Sequence, residues 1–317
     1  MKNIIVVSVI MMAVSTAVFA KGSTQQQQQI RMATGGNTGT YYAYGSAVGQ
    51  ILQEKIKIPI TIQSTGASKA NIQLIAAGEV ELAIVQNDVM DYAYRGTELF
   101  TGEQIQAFSS LAALYAEVCQ VVAGSSGITS IAELKGKRVS VGDAGSGVEF
   151  NAKQILAVYG ITFAEIDKQN LSFAASADAL RDGKIDAFFC TAGAPTTAVV
   201  DLAIGKDIVL LEIDDAHAAQ LMKDYPFYTK YPIPAGSYRG VTKDVQTVAV
   251  KATFIVSNKV SEETVYLLTK NLIESQKDIQ NAHAKGAELS AAYAVSGISV
   301  PFHAGAARYF KEIGAIQ

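Results

Sequence analysis

The chain has 317 residues, 49% of them hydrophobic and 17% charged, with two Cys, no Trp and a formal net charge of −3. That composition argues against a disordered chain, offers no general attraction to nucleic acid or anionic lipid, and excludes a disulfide-dense scaffold or Cys-rich zinc module. The length suits two packed units, because single hydrophobic cores stop growing at about 250–300 residues.

Residues 1–20 carry one early lysine, Lys2, then an apolar stretch and Val18-Phe19-Ala20 before Lys21. The apolar run is short for a span, so it predicts a secretory signal peptide cleaved after Ala20; an uncleaved membrane anchor is the competing reading. Residues 21–29, with five consecutive glutamines, predict a disordered tether. From Ile30 short apolar runs alternate with amphipathic stretches, the pattern of βαβ units on a mostly parallel sheet. Strands are expected at 30–34, 58–63 and 80–85, with helices at 40–55 and 68–77; the last strand ends in Gln86-Asn87-Asp88.

The same order then recurs. Strands are expected at 138–141, 170–173 and 185–190, with helices at 148–159 and 176–181, and the last strand runs into Thr191-Ala192-Gly193. Arg31 corresponds to Arg138, and Gly78-Glu79-Val80-Glu81 to Gly183-Lys184-Ile185-Asp186. Two long copies suggest a duplicated α/β lobe rather than a solenoid. Residues 111–123 and 247–257 are long extended runs rich in β-branched residues, expected to be crossing strands that form a hinge; helices follow at 262–284, 286–294 and 304–313. The expected division is residues 30–117 with 255–317 in one lobe and 118–254 in the other.

No catalytic constellation can be assembled. There is no G-x-S-x-G elbow and no H-E-x-x-H, and His217, His283 and His303 are dispersed without ligand spacing. No metal or cofactor is expected. Gly142-x-x-Gly145-x-Gly147 has the wrong order for a dinucleotide fingerprint, and the loop from Thr34 to Thr40 lacks the Walker lysine. Both loops nevertheless run from a strand end into a helix start, where unpaired N–H groups and the helix dipole hold a carboxylate without a buried cation. Gly39, Thr40, Gly145, Ser146 and Gly147 are therefore candidate ligand contacts, although the glycines would also serve simple sharp turns. Other strand ends add Thr65, Gly66, Gln86, Asn87, Thr191, Ala192 and Gly193. Tyr41 and Tyr42 would close over a ligand's carbon chain or pack between lobes. Asp88 or Glu149 would meet a ligand ammonium or cap a helix. Cys119 and Cys190 lie on strands that, as antiparallel neighbours, would bring the sulfurs close, so a disulfide is one expectation and two free thiols the other.

Several segments together carry a family resemblance. They include Thr34-Gly35-Gly36-Asn37-Thr38-Gly39-Thr40-Tyr41-Tyr42, Ser64-Thr65-Gly66-Ala67-Ser68 with Asn71, and Gln86-Asn87-Asp88. Further on come Gly145-Ser146-Gly147-Val148-Glu149, Thr191-Ala192-Gly193-Ala194-Pro195 and Pro301-Phe302-His303-Ala304-Gly305. Across nearly the whole mature chain the sequence resembles the TAXI-type solute receptors of tripartite ATP-independent periplasmic (TRAP) transporters. The resemblance implies an α/β, two-lobed periplasmic binding protein of type II-like build, each lobe a doubly wound mixed sheet, joined by crossing hinge strands. It implies a non-enzymatic, monomeric receptor that closes on a small organic anion or amino acid and delivers it to a TRAP membrane permease. Glutamate or glutamine is the foremost ligand, with 2-oxoglutarate or another dicarboxylate as the alternative; an extracellular sensor on the same fold is the alternative role. The arginine that the C4-dicarboxylate branch uses has no obvious equivalent here, and Cys190 departs from the expected pattern beside the pocket.

Overall fold

The computed structural model describes residues 29–125 and 127–317; the expected signal peptide and all but the last residue of the expected tether lie outside them. The first half begins with β1 (Ile30–Ala33), α1 (Thr40–Ile56), β2 (Ile60–Gln63), α2 (Ser68–Ala77), β3 (Leu82–Gln86) and α3 (Asn87–Arg95). A 17-residue strand, β4 (Phe108–Gly124), then leads into the second half. There follow β5 (Arg138–Ser140), α4 (Gly147–Val158), β6 (Asp167–Gln169), α5 (Phe173–Arg181), β7 (Ala187–Ala192), α6 (Thr197–Gly205), β8 (Ile208–Leu210) and β9 (Thr229–Ile233). The long β10 (Val245–Ser257) returns the chain to the first half, which the helices Glu262–Glu274 and Ala304–Glu312 complete.

All strands belong to one sheet of order β2-β1-β3-β10-β4-β7-β5-β6, with β8 added on β4 and β9 on β10. Read outward from its middle, each half repeats the other. β3 is antiparallel to β10 and parallel to β1, while β7 is antiparallel to β4 and parallel to β5. The internal repeat is thus also a repeat of topology, and one ion pair marks it. Arg31 donates its backbone N–H and guanidinium to Glu81, and Arg138 donates the same two groups to Asp186. Each pair ties the start of an inner strand to the turn before its parallel neighbour. Gly78 and Gly183 precede those turns at matching places, both with φ near +70°, where a side chain would be strained.

The strands between the edges are buried on both faces, so they read as continuous apolar runs rather than as alternation. Alternate residues feed different cores. Phe188 and Cys190 pack below β7 with Val199, Leu202 and Tyr238, whereas Phe189 joins Val139, Ile155 and Leu221 on the other side. In the first half Leu82 and Ile84 pack with Tyr44, Tyr115 and Phe310, while Ala83 and Val85 pack with Met90, Phe100 and Phe108. β4 and β10 pair from Val118/Ala249 to Phe108/Ser257, and both continue into the second half, so they are the two backbone crossings in the middle of the sheet.

Three expectations are corrected. The strand expected at 170–173 is instead β6 at Asp167–Gln169, an exposed polar edge; Ser172 accepts the Ala175 N–H as the cap of α5, which draws Phe173 into the helix. The helix expected over 262–284 breaks at Ser275, and 286–294 is a 3-10 turn followed by the short helix Ala291–Val295 capped by Ser290. The disulfide does not form: Cys119 and Cys190 are both free and buried. β4 and β7 are antiparallel neighbours, but Cys119 faces Thr191 and Cys190 faces Gln120, so the sulfurs lie on opposite faces of the sheet.

Candidate functional site

Between the two halves, beyond the C-terminal ends of the inner strands, lies a cavity of about 340 Å³. Crevices at strand C-termini are where open α/β sheets bind ligands, and the space suits a small molecule. The β1–α1 turn supplies one wall, the β5–α4 turn the opposite wall, and Ser64 and Thr65 after β2, Gln86 at the end of β3 and Thr191 and Ala192 at the end of β7 complete the lining between them. α1 starts at Thr40, and its cap position, Gly39, has no side chain to satisfy the first-turn N–H groups. α4 starts at Gly147, with Ser146 as its cap accepting the Glu149 N–H at 3.2 Å. Two helix starts, of 17 and 12 residues, therefore meet at one cavity from opposite lobes. Each carries about half a positive charge at its amino end.

Of the residues singled out in the sequence, Gly39, Thr40, Tyr41, Thr65, Gln86, Ser146, Gly147, Thr191 and Ala192 line this cavity. Some of their polar atoms already have protein partners. Thr40 Oγ1 donates to the Gly193 carbonyl at 3.0 Å, a bond between the lobes. Thr65 Oγ1 accepts the Ala67 N–H and lies 2.8 Å from the Thr34 carbonyl. Gly193 stands behind Thr40 and Lys285 instead of facing the cavity.

Tyr42, Gly66, Asn87, Asp88, Gly145 and Glu149 are not among the lining residues. Asn87 accepts the Lys251 N–H and donates to the Gly297 carbonyl, tying α3 to β10. Glu149 accepts from Lys168 Nζ at 2.6 Å, from the Gly145 N–H at 2.7 Å and from Asn170. Burial pushes its carboxyl up, but those three donors outweigh burial and hold it below the ordinary value. Glu149 therefore already has a cation, and Gly145 has spent its N–H. Asp88 is fully buried and accepts from the Val89 N–H and from Asn151 Nδ2 at 3.1 Å. Burial raises its pKa to about 6.

The sequence reading missed the principal ionisable group. Glu117, in the middle of β4, lines the cavity and is 1% exposed. Tyr41 donates to it at 2.6 Å. Burial pushes the Glu117 carboxyl up to about 8, with the Tyr41 and Gln86 hydrogen bonds pulling the other way. Asp143 also lines the cavity with its pKa raised by burial. Phe173, Val148 and Ala174 give the cavity an apolar side. No Lys, Arg or His is among the lining residues.

The remaining chemistry is structural. His283 and His303 cap helical turns by accepting the Lys285 and Gly305 N–H groups, and His217 pairs with Asp214. Among the described residues no group of three or more His, Cys, Asp or Glu is placed to hold a metal ion, and no helix is long and apolar enough to cross a membrane.

Solved structures share this architecture at low sequence identity. The periplasmic aliphatic sulphonate binding protein SsuA from Escherichia coli matches with a TM-score of 0.50 at 14% identity, over 90% of this chain and 83% of that one. PhnD1 from Prochlorococcus marinus, in complex with methylphosphonate, gives 0.54 at 11% identity, over 82% and 90%. The substrate binding protein of an amino acid ABC transporter gives 0.50 at 14%, over 82% and 99%. The fold they share with this chain is the α/β periplasmic binding protein fold of type II. Residues 32–314 match the NMT1-like family, nearly the full described length. The chain belongs to the NMT1-like family.

Proposed function

We propose that this protein is the solute receptor of a transporter, exported to the periplasm, which captures a small carboxylate between its lobes and hands it to a membrane permease. The TAXI-like segments of the sequence support a TRAP permease as the partner and glutamate or glutamine as the foremost ligand. The observation that carries this reading is the pairing of the α1 and α4 amino ends across one cavity whose lining has no basic side chain. Helix amino ends supply N–H donors and positive potential, so an anion is held by backbone alone. The chain crosses between lobes only twice in the sheet, through β4 and β10, which suits hinge closure around a ligand that touches both sides. Residues 30–117 with 255–317, and 118–254, act as the two bodies.

The test is a thermal-shift screen of amino acids, dicarboxylates and sulfonates on refolded, ligand-stripped protein. A solute that binds only the native state stabilises it by about 2.7 kcal/mol at one hundred times its Kd. A shift with glutamate or glutamine is expected. If only solutes lacking a carboxylate raised the melting temperature, the carboxylate assignment would fail.

A further inference from the structure

Gln86 is 2% exposed, lines the cavity, and its Oε1 has no hydrogen-bond partner. A buried acceptor without a donor is costly, so such atoms ask for an explanation. The explanation starts at Asp88. An ionised carboxylate only accepts, so Asn151 must turn its Nδ2 toward Asp88, where it also meets the Tyr228 hydroxyl at 2.7 Å. Asn151 Oδ1 is thereby left for Gln86, whose Nε2 donates to it at 3.0 Å. Gln86 Oε1 is then enclosed against Gly147 without a donor, and the side chain meets the cavity through its hydrogen bond to Glu117. The chain of bonds continues away from the site through Tyr228 to Gln154 and from Gln154 to Tyr92, which fixes Tyr228 as a donor to Gln154. Asp88, Gln86 and Tyr92 belong to the first lobe, Asn151 and Gln154 to α4 of the second, so this orientation holds only when the lobes are together.

Glu117 is the acceptor that lines the cavity, with Tyr41 and Gln86 hydrogen-bonded to it. We propose that the Glu117 carboxyl forms a subsite for a protonated amine on the bound anion, with Gln86 hydrogen-bonded beside it and Asp88 and Asn151 acting as positioning residues that hold Gln86 there. This rests on the reading of the cavity as a solute site and names which solutes it selects: those with an ammonium group beside the acid, over their keto or hydroxy counterparts. Asp88 and Glu149 do not take that role, since neither lines the cavity. Near neutral pH burial keeps Glu117 largely protonated. An arriving ammonium favours the carboxylate, so the Glu117 proton leaves to solvent as the ligand enters.

The test is isothermal titration of ligand-stripped protein with matched pairs, L-glutamate against 2-oxoglutarate and taurine against isethionate, in two buffers of different ionisation enthalpy. The amine member of whichever pair binds is expected to bind at least about tenfold more tightly, with about one proton released per ligand near pH 7. Glu117→Gln, which keeps an acceptor for Tyr41, is expected to bring the preference below about threefold and abolish the proton release. Asp88→Asn, which lets Asn151 turn either way, is expected to reduce the preference while Glu117 still releases its proton. Tight binding of both members of a pair, or preference for the one without an amine, overturns the subsite and leaves the receptor reading standing. Failure of all four solutes to bind overturns both.

Discussion

The Tyr41 hydroxyl, on the first turn of α1, donates a 2.6 Å hydrogen bond to the Glu117 carboxyl on the crossing strand β4. The bond joins a helix start that faces the cavity to one of the two strands shared by both lobes. It also buries an acidic group where water cannot easily support its charge. Burial raises the Glu117 pKa because desolvation disfavours the ionised form, and the tyrosine recovers only part of that cost.

A pH dependence follows. Glu117 has an ordinary value of 4.5 and a folded value of about 8, so between them the folded protein holds a proton that the unfolded chain has lost. Stability therefore falls as pH rises through that window, by at most about 1.4 kcal/mol per pH unit. Asp88 adds the same trend between 3.8 and about 6. Above pH 6 Glu117 sets the falling slope, against an opposite trend from His283 and His303, whose pKa values burial lowers from 6.5, and that trend fades as pH rises past this value. Urea midpoints measured from pH 6 to 8 are expected to decline in the wild type and to flatten in Glu117→Gln; equal slopes would contradict the assignment.

Close approach across the cleft gives a second expectation. A Cβ on Gly147 would collide with Gln86 Oε1, and one on Gly193 would press on Thr40 and Lys285. Gly147→Ala is expected to hold the lobes apart and weaken solute binding at least about tenfold, with the circular dichroism of the folded state retained. Unchanged affinity would show that the closed arrangement is not needed for binding.

Ser146 has two roles to separate. Its hydroxyl caps α4 and its residue lines the cavity. Ser146→Ala is expected to cost about 1 kcal/mol in denaturant unfolding, the usual price of a lost cap. Its affinity for the solute is expected to fall as well, whereas Ser261→Ala, which removes the cap of the helix Glu262–Glu274 away from the cavity, is expected to show the stability loss without a change in affinity.

The two cysteines are expected to titrate as two free thiols once the protein is denatured. In the native protein both are buried and burial raises both pKa values, so a thiol reagent is expected to react slowly. A melting temperature that drops on adding dithiothreitol would contradict free thiols.

The repeated plan was legible in the sequence because it is written in local signals. Arg31 and Arg138 start equivalent strands, and glycines close equivalent helices before Glu81 and Asp186. The loops at Gly39 and Ser146 were legible for the same reason. Glu117 left a fainter mark: it is the single Asp, Glu, Lys or Arg in the apolar run of β4, a cue that could have found it. What could not be read were partners set by tertiary contact. Asp88 meets Asn151, 63 residues away on the other lobe, and Glu149 meets Lys168 across a loop and strand. β6 was misplaced because an exposed edge of Asp167-Lys168-Gln169 has no apolar alternation to announce it.

The most direct test of the account is calorimetric titration of L-glutamate into refolded, ligand-stripped protein, beside the variant Gly39→Val. The proposed solute site lies between two helix starts, and Gly39 sits at one of them. The account predicts one saturable site in the wild type, of about micromolar Kd, and its loss in Gly39→Val with the fold intact. Equal affinity in the two proteins would contradict it.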